Sequence, residues 1–235
     1  MTKQITRRSM FRTAGIAALG GVAAQSTAAA QDSAAVPEKV LILGVSCSPR
    51  KGKTTATAIG VALEAAKSVD SRLETELIDL GGLDIAGSNG ETSSGAGEVP
   101  LDDFQLILPS FQAPNLGGII IGSPTYFRSL SALCKAFLER LAILREPKLL
   151  LANKPVGALA VGAYRNGGQE LVIEQILTAM LCHEVMAVGG KPRAHQGATL
   201  WNSEKDNIMK DQLGIESAKQ LGIRVAEAAL KLAGR

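Results

Sequence analysis

Three short segments of this 235-residue chain carry residue types suited to holding an anion and a flat ring. The first is Ser46-Cys47-Ser48-Pro49-Arg50-Lys51-Gly52-Lys53-Thr54-Thr55, where hydroxyl and basic side chains crowd the start of a helical pattern. Backbone N–H groups, hydroxyls and the positive end of a helix dipole together bind phosphate. A solvated basic turn is one alternative. A nucleotide P-loop is another, but Cys47 stands where that loop requires glycine, and Ser48-Pro49 restricts its backbone path. Only Asp79 follows an apolar strand in a way suited to holding Mg²⁺. The second segment is Gly122-Ser123-Pro124-Thr125-Tyr126-Phe127-Arg128, with two aromatics beside a stiff proline. A heteroaromatic ring resting on Pro124, Thr125 and Tyr126 is one reading; a plain turn with inward-packed aromatics is the other. The third is Val161-Gly162-Ala163-Tyr164-Arg165-Asn166-Gly167-Gly168-Gln169-Glu170, whose glycines allow close backbone approach to a ligand. Arg165 either serves an anionic partner such as a pyridine nucleotide or is simply solvated.

Other chemistries find less support. His183 and His195 are the only histidines and have no metal-ligand spacing around them. Cys47, Cys134 and Cys182 are far apart and odd in number, which argues against a disulfide framework or a cysteine-rich metal site. Ser123 lacks the G-x-S-x-G elbow of a hydrolase. Trp201 lies in a polar stretch, and either caps a neighbouring subunit's site in a homodimer or homotetramer or covers core.

The three segments need a scaffold that brings them to one edge. Lys39–Val45 is a continuous apolar run of the kind that makes a strand buried on both faces. A helix opens at Thr54 or Thr55, and a second strand covers Leu73–Asp79. Residues 81–100 are rich in Gly and Ser and read as a surface loop. Asp102 caps a helix to about Gln112. Gly118–Gly122 is the third strand, with Ser129–Leu144 as its helix. Pro155–Val161 is the fourth strand, followed by a helix over Gly168–Cys182. A short fifth strand fits Val185–Val188, and Asp211–Leu232 is a final helix. This alternation implies a doubly wound α/β fold of five parallel strands with helices on both faces. Ligands of such folds sit beyond the carboxyl ends of the strands, where strand order reverses.

The formal charge of +3 is concentrated at the start of the chain. Lys3, Arg7, Arg8 and Arg12 lie in the first 30 residues, which hold no acid; without them 21 basic side chains face 22 acidic ones. A near-neutral domain with 3% aromatic residues has no electrostatic or stacking case for nucleic acid. The same 30 residues run from paired arginines through an apolar stretch, Ala14–Ala24, to Ala28-Ala29-Ala30. That order reads as a signal peptide, and the arginine pair as the twin-arginine type; the alternative is an ordinary secretory signal whose arginines are adjacent by chance. The stretch is too short and too rich in Gly and Ala for stable membrane insertion. The expected organisation is a signal at 1–30, a linker at 31–38 and one domain over 39–235. The expected location is periplasmic or otherwise exported.

Gly44–Gly52, Gly122–Phe127 with Lys135–Arg140, and Lys154-Pro155 followed by Gly167–Glu170 together resemble the NAD(P)H-dependent FMN reductases of the flavodoxin-like superfamily. The resemblance covers about Val40 to Gly190. It implies that Ser46, Ser48, Arg50 and Thr55 contact the phosphate of FMN. It also implies that Pro124, Thr125, Tyr126 and Phe127 border the isoalloxazine, while Gly162, Gly167 and Gly168 close its other side. Cys47 replaces a usual Gly, and Lys53-Thr54 a usual Gly-Asn. Related iron–sulfur flavoproteins carry a compact cysteine cluster after the second strand; residues 80–116 of this chain contain no cysteine. The resemblance implies an oxidoreductase in which flavin carries the chemistry. NAD(P)H would be co-substrate, and a quinone, free flavin or other small molecule the acceptor. The rivals are an exported electron carrier without NAD(P)H activity, favoured by the scarcity of pyridine nucleotide outside the cytoplasm, and a protein of this fold that has lost FMN. Replacing Arg7 and Arg8 together by lysine is expected to retain the protein in the cytoplasm. Fractionation that finds the double variant exported normally would reject the twin-arginine reading.

Overall fold

The computed structural model describes residues 38–88 and 102–234. The signal reading at 1–30 and the linker up to residue 37 lie outside the described residues, as does the second half of the loop expected at 81–100. Among these residues six strands form one sheet: β1 (Val40–Ser46), β2 (Leu73–Asp79), β3 (Leu116–Pro124), β4 (Pro155–Gly162), β5 (Met186–Ala187) and β6 (Ala198–Trp201). Every pairing is parallel. The order is β2-β1-β3-β4, with β5 along the first half of β4 and β6 along its second half. The fifth position expected from the sequence is thus filled by two segments. Residues 188–197 leave the sheet between them because Gly189, Gly190 and Pro192 cannot sustain a strand. β6 is only four residues long, too short for its alternation to be read from sequence.

Successive residues of a strand face opposite sides of the sheet. Leu41, Leu43, Val45, Ile119 and Ile121 face one layer, made of α2 (Phe104–Phe111), α3 (Ala132–Arg140) and α4 (Gln169–Leu181). Val40, Ile42, Ile120, Leu159 and Val161 face the other, made of α1 (Thr54–Lys67) and α5 (Gln212–Ala233). This is a doubly wound flavodoxin-like architecture with a core on each face. Gly222 lets α5 lie on α1: a Cβ there would stand 1.9 Å from the Ala62 carbonyl oxygen. α3 ends at Arg140 and continues as a 3₁₀ turn over Leu141–Arg145, instead of one helix to Leu144. Pro147 disfavours helical backbone at the residue before it.

The segment before α2 is fixed by a buried ion pair that the sequence pattern does not announce. Arg140 at the end of α3 bonds the Asp102 carboxylate, and its guanidinium lies 4.9 Å from the Phe104 ring centroid. Both side chains are almost fully buried. Phe104 and Phe111 in turn pack on Phe137, with centroids 6.4 and 5.7 Å away. Asp102 also accepts the Ala86 and Phe104 N–H groups at 3.0 and 3.1 Å. The N-cap position of α2 falls to Asp103, which makes no side-chain cap, instead of the expected Asp102; Asp102 braces the first N–H of the helix from one residue further out and is also a long-range tie. Burial alone would raise the Asp102 pKa, but the Ala86 N–H, Arg140 and the Phe104 N–H outweigh it and hold the group below its ordinary 3.8.

A depressed carboxylate stabilises the fold at pH above its unfolded value and loses that contribution as pH falls through the folded one. Asp102→Ala, which takes the carboxylate away from a buried guanidinium, is expected to cost about 3–5 kcal/mol in urea unfolding at pH 7. Its stability should also fall less steeply than wild type below pH 4. Equal curves for the two proteins would refute the role given to the pair.

Candidate functional site

Between β1 and β3 the connections diverge, β1 running to β2 on one side and β3 lying on the other. Such a switch point leaves a crevice at the carboxyl ends of the strands. The three segments singled out in the sequence follow β1, β3 and β4, so the fold brings all three to that edge. The register sets them side by side, pairing Ser46 with Gly122 and Pro124 with Val161.

The first loop is held from behind. Its Cys47 N–H donates to the Gly122 carbonyl at 2.8 Å, and its Gly52 N–H donates to Asp79 Oδ2 at 2.6 Å. The other Asp79 oxygen accepts the Gly81 N–H at 3.1 Å. Both carboxylate oxygens of Asp79 thus shape backbone, which removes the Mg²⁺-holding role a P-loop would need. Gly52 has φ +66°, a left-handed turn that glycine takes without strain. Ser48 Oγ accepts the Arg50 N–H at 3.2 Å and closes the turn.

Then α1 begins, with no side-chain cap and no acid in its first turn. Its leading N–H groups have no intrahelical acceptor. Ser46, Ser48 and Thr55 are buried beside them, and Ser46 Oγ and Thr55 Oγ1 have no hydrogen-bond partner among the described residues. An unpaired buried hydroxyl costs roughly 1–3 kcal/mol. Donors without acceptors at a helix start form a cradle that a phosphate fits. Arg50 stands at its rim, where its guanidinium bonds Asp206 Oδ1 at 2.6 Å; Lys53 Nζ lies 3.5 Å from the other oxygen.

The second loop departs from the turn with inward-packed aromatics. Tyr126 and Ser129 exchange two backbone hydrogen bonds of 2.9 Å, and the residues between them have φ +50° (Phe127) and +62° (Arg128). Two consecutive left-handed residues make a tight mirror-image turn that glycine or asparagine usually fills. Bulky side chains there cost of order 1–3 kcal/mol each. The turn presents Phe127 wholly to solvent and leaves Tyr126 exposed. Pro124 is buried at the end of β3, and Thr125 donates its N–H to the Val161 carbonyl at 2.8 Å. Thr125 Oγ1 is a further buried hydroxyl without a partner among the described residues.

The third loop is organised by Gln169, a role for which the sequence offers no separate signal. The buried Gln169 amide donates to the Tyr164 carbonyl at 2.7 Å and accepts the Gly167 N–H at 2.8 Å. Gly162 is required for this: a Cβ there would come within 2.4 Å of Gln169 Nε2. Gly168, at φ +100°, lies against the Arg128 backbone, so the second and third loops meet. Trp201 neither fills core nor needs a second subunit to have a task. Its Nε1–H donates to the Ala163 carbonyl at 3.0 Å, and Arg165 lies 4.5 Å over its ring.

Ser131 ties the first loop to the second. Its hydroxyl donates to the Cys47 carbonyl at 2.7 Å and accepts the Cys134 N–H at 3.0 Å, capping α3. Its own N–H donates to Ser123 Oγ at 3.0 Å. Behind it Cys47 and Cys134 are fully buried, and burial followed by Cys134 pushes the Cys47 thiol well above its ordinary value. Cys182 is exposed at the far end of α4. Burial, and then the nearby Arg145, push the His183 pKa below its ordinary 6.5.

A doubly wound parallel sheet with three ligand-type loops at its switch point defines a flavodoxin-like α/β protein. The model of the family described as NADPH-dependent FMN reductase matches residues 40–198, and the chain belongs to that FMN-binding oxidoreductase family. An iron–sulfur flavoprotein of Methanocaldococcus jannaschii is 38% identical over 189 residues, covering 79% of this chain and 95% of its own length. Two solved structures share the fold. A flavodoxin, WrbA-like protein from Agrobacterium tumefaciens has TM-score 0.56 at 17% identity, covering 82% of this chain and 99% of the other. An NADH:FMN oxidoreductase in its apo form has TM-score 0.56 at 23% identity, covering 82% and 90%.

The iron–sulfur group in the relative's name does not fit this chain. Such clusters take four cysteine ligands or an equivalent set. This chain has three cysteines, two sealed in the core and one at the opposite end of a helix. Among the described residues no group of three or more His, Cys, Asp or Glu side chains is placed to hold a metal, and no helix is long and apolar enough to cross a membrane.

Ser131→Ala removes a helix cap and leaves the buried Cys47 carbonyl unpaired. A loss of about 2 kcal/mol is expected by urea denaturation of the FMN-free protein. A loss below about 0.5 kcal/mol would show that the tie between the loops is not made by this hydroxyl.

Proposed function

We propose that this protein is an FMN-dependent NAD(P)H oxidoreductase that passes electrons to a quinone, free flavin or other small acceptor. The observation that carries this reading is the pair of buried, unpartnered hydroxyls, Ser46 and Thr55, at the uncapped start of α1. With Ser48 and the first-turn N–H groups they receive the FMN phosphate, and Arg50 closes the rim. Pro124, Thr125, Tyr126 and Phe127 border the ring system, while Gly162, Gly167 and Gly168 keep the facing side free of side-chain bulk. When bound, FMN supplies two-electron chemistry between a reduced nicotinamide and the acceptor. The chain's own residues bind and orient; none is asked to move a proton.

Exposure of Tyr126 and Tyr164 on either side of the crevice supports an open approach for a second molecule, which favours the reductase over a carrier that covers its flavin. The arginine pair and apolar run at 1–30 support delivery of the folded, FMN-loaded protein through the twin-arginine route.

Thr55→Val replaces a hydroxyl by a methyl of similar shape and removes one bond to a charged group, worth roughly 1.5–3 kcal/mol. FMN affinity, read by quenching of flavin fluorescence, is expected to fall at least tenfold with the circular dichroism unchanged. Unaltered affinity would remove Thr55 from the site. In anaerobic stopped-flow, NADPH or NADH should bleach the bound flavin at a saturating rate. Flavin reduced only by dithionite would overturn the enzyme reading and leave the carrier.

A further inference from the structure

The hydroxyls at the start of α1 lie deep: Ser46, Ser48, Thr54 and Thr55 are at most 4% exposed. Solvent reaches the loop at its rim, residues 49–53. On the β2 side that rim is already backed, because the Gly52 N–H bonds Asp79 and Gly81 packs on the Lys51 backbone. The remaining opening is flanked by Arg50 and Lys53, and Asp206 spans it. One carboxylate oxygen bonds Arg50 at 2.6 Å and the other lies 3.5 Å from Lys53. Asp206 belongs to none of the three loops. It stands at the tip of the segment between β6 and α5, and both ends of that segment are fixed. The Trp201 N–H donates to Asp211 Oδ2 at 2.7 Å, the Asn202 N–H donates to the Gly162 carbonyl at 2.8 Å, and Ile208 is buried against the α1 and α5 core. The Asn207 N–H turns the tip back onto the Glu204 carbonyl at 3.0 Å, and Asp206 takes φ +57°. Exposed ion pairs add little to stability, and asparagine or glycine takes a left-handed turn as readily. Stability is therefore a poor reason for a carboxylate here.

Resting on the phosphate reading above, we infer that Asp206 makes the site selective for flavin mononucleotide over flavin adenine dinucleotide. FMN ends in one phosphate, whose charge stays inside the cradle. In FAD that phosphate is joined to a second one, which has to leave through the rim with the adenosine behind it. The second phosphate then meets the Asp206 carboxylate, and it reaches Arg50 and Lys53 only by displacing it. The shorter ligand is spared this conflict. A guanidinium has five N–H donors, so Arg50 can face Asp206 with one edge and the inner phosphate with another. A like charge set on the exit path is selection by repulsion, acting against the longer flavin and leaving contacts to the shorter one in place. The Arg50 guanidinium, with Lys53, holds the Asp206 carboxyl below its ordinary 3.8, so the bar is charged at neutral pH.

The test titrates the full chain, freed of flavin, with FMN and with FAD by calorimetry. Wild type is expected to bind FMN at least about tenfold more tightly than FAD, the scale of one close like charge near a protein surface. Asp206→Asn keeps the size of the side chain and its turn and removes the charge. It should bring the two flavins within about threefold of each other, through tighter binding of FAD, with FMN affinity and Tm unchanged. Glu204→Gln removes an exposed acid from the same segment and should leave the margin intact. Equal binding of FMN and FAD by wild type, a margin that survives Asp206→Asn, or one lost equally in Glu204→Gln overturns the inference. Thr55→Val separates it from the reading it rests on. If that variant weakens FMN while Asp206→Asn leaves the margin, the cradle stands and the selectivity assigned to Asp206 falls. If it leaves FMN affinity unaltered, the phosphate lies elsewhere and both fall.

Discussion

The parallel pairing of β1 with β3 is the constraint on which the rest depends. One backbone hydrogen bond past the end of β1, from Cys47 to Gly122, fixes where the first loop leaves the sheet. Parallel strands cannot be joined by a tight hairpin, so the chain must cross over through a helix each time. Every ligand-type loop therefore emerges at the same edge. The start of α1 is aimed at the crevice because the helix must return from that edge to reach β2. A cluster of unpaired N–H donors at this edge is a by-product of connectivity, and three buried hydroxyls stand beside it.

Around that frame, polar side chains from distant segments fix loops that have little regular structure of their own. Asp79 shapes the first loop from the neighbouring strand, Gln169 folds the third from within, and Asp211 accepts the Trp201 N–H at 2.7 Å where β6 ends. Each satisfies backbone donors that would otherwise be stranded, and each leaves the outward face of its loop free. Rigid backs and open fronts are what a site needs to hold a flat ring without the entropy cost of ordering loops on binding.

The strands were legible because continuous apolar runs such as Leu41–Val45 and Ile119–Ile121 fit no other buried element of that length. The loops were legible because hydroxyls, Pro124 and paired glycines punctuate the chain where the runs stop. What could not be read joins residues far apart in sequence. Asp102 meets Arg140, Arg50 meets Asp206 and Trp201 meets Arg165 across 38, 156 and 36 positions. No local pattern encodes such contacts. β6 escaped for the opposite reason, since four residues are too few to show a period. The unpaired hydroxyls of Ser46, Thr55 and Thr125 are likewise visible only once burial is known.

The divided fifth position bears on how the molecule behaves in a crowd. An unpaired sheet edge is a template for strands from other chains. At this edge the template is broken into two residues and four, with residues 188–197 between them folded against α5, where the Lys191 N–H reaches the Gln220 carbonyl and Ala194 is buried. A foreign strand finds no continuous row of donors and acceptors to join. At the other edge β2 turns Glu74 and Glu76 toward solvent, and an incoming strand would have to bury or abut those charges. Both borders of the sheet thus discourage edge-to-edge growth, one by interruption and the other by charge. A chain that folds around a long-range parallel sheet, slow to close and exposed while it does so, is protected against aggregation by its own borders.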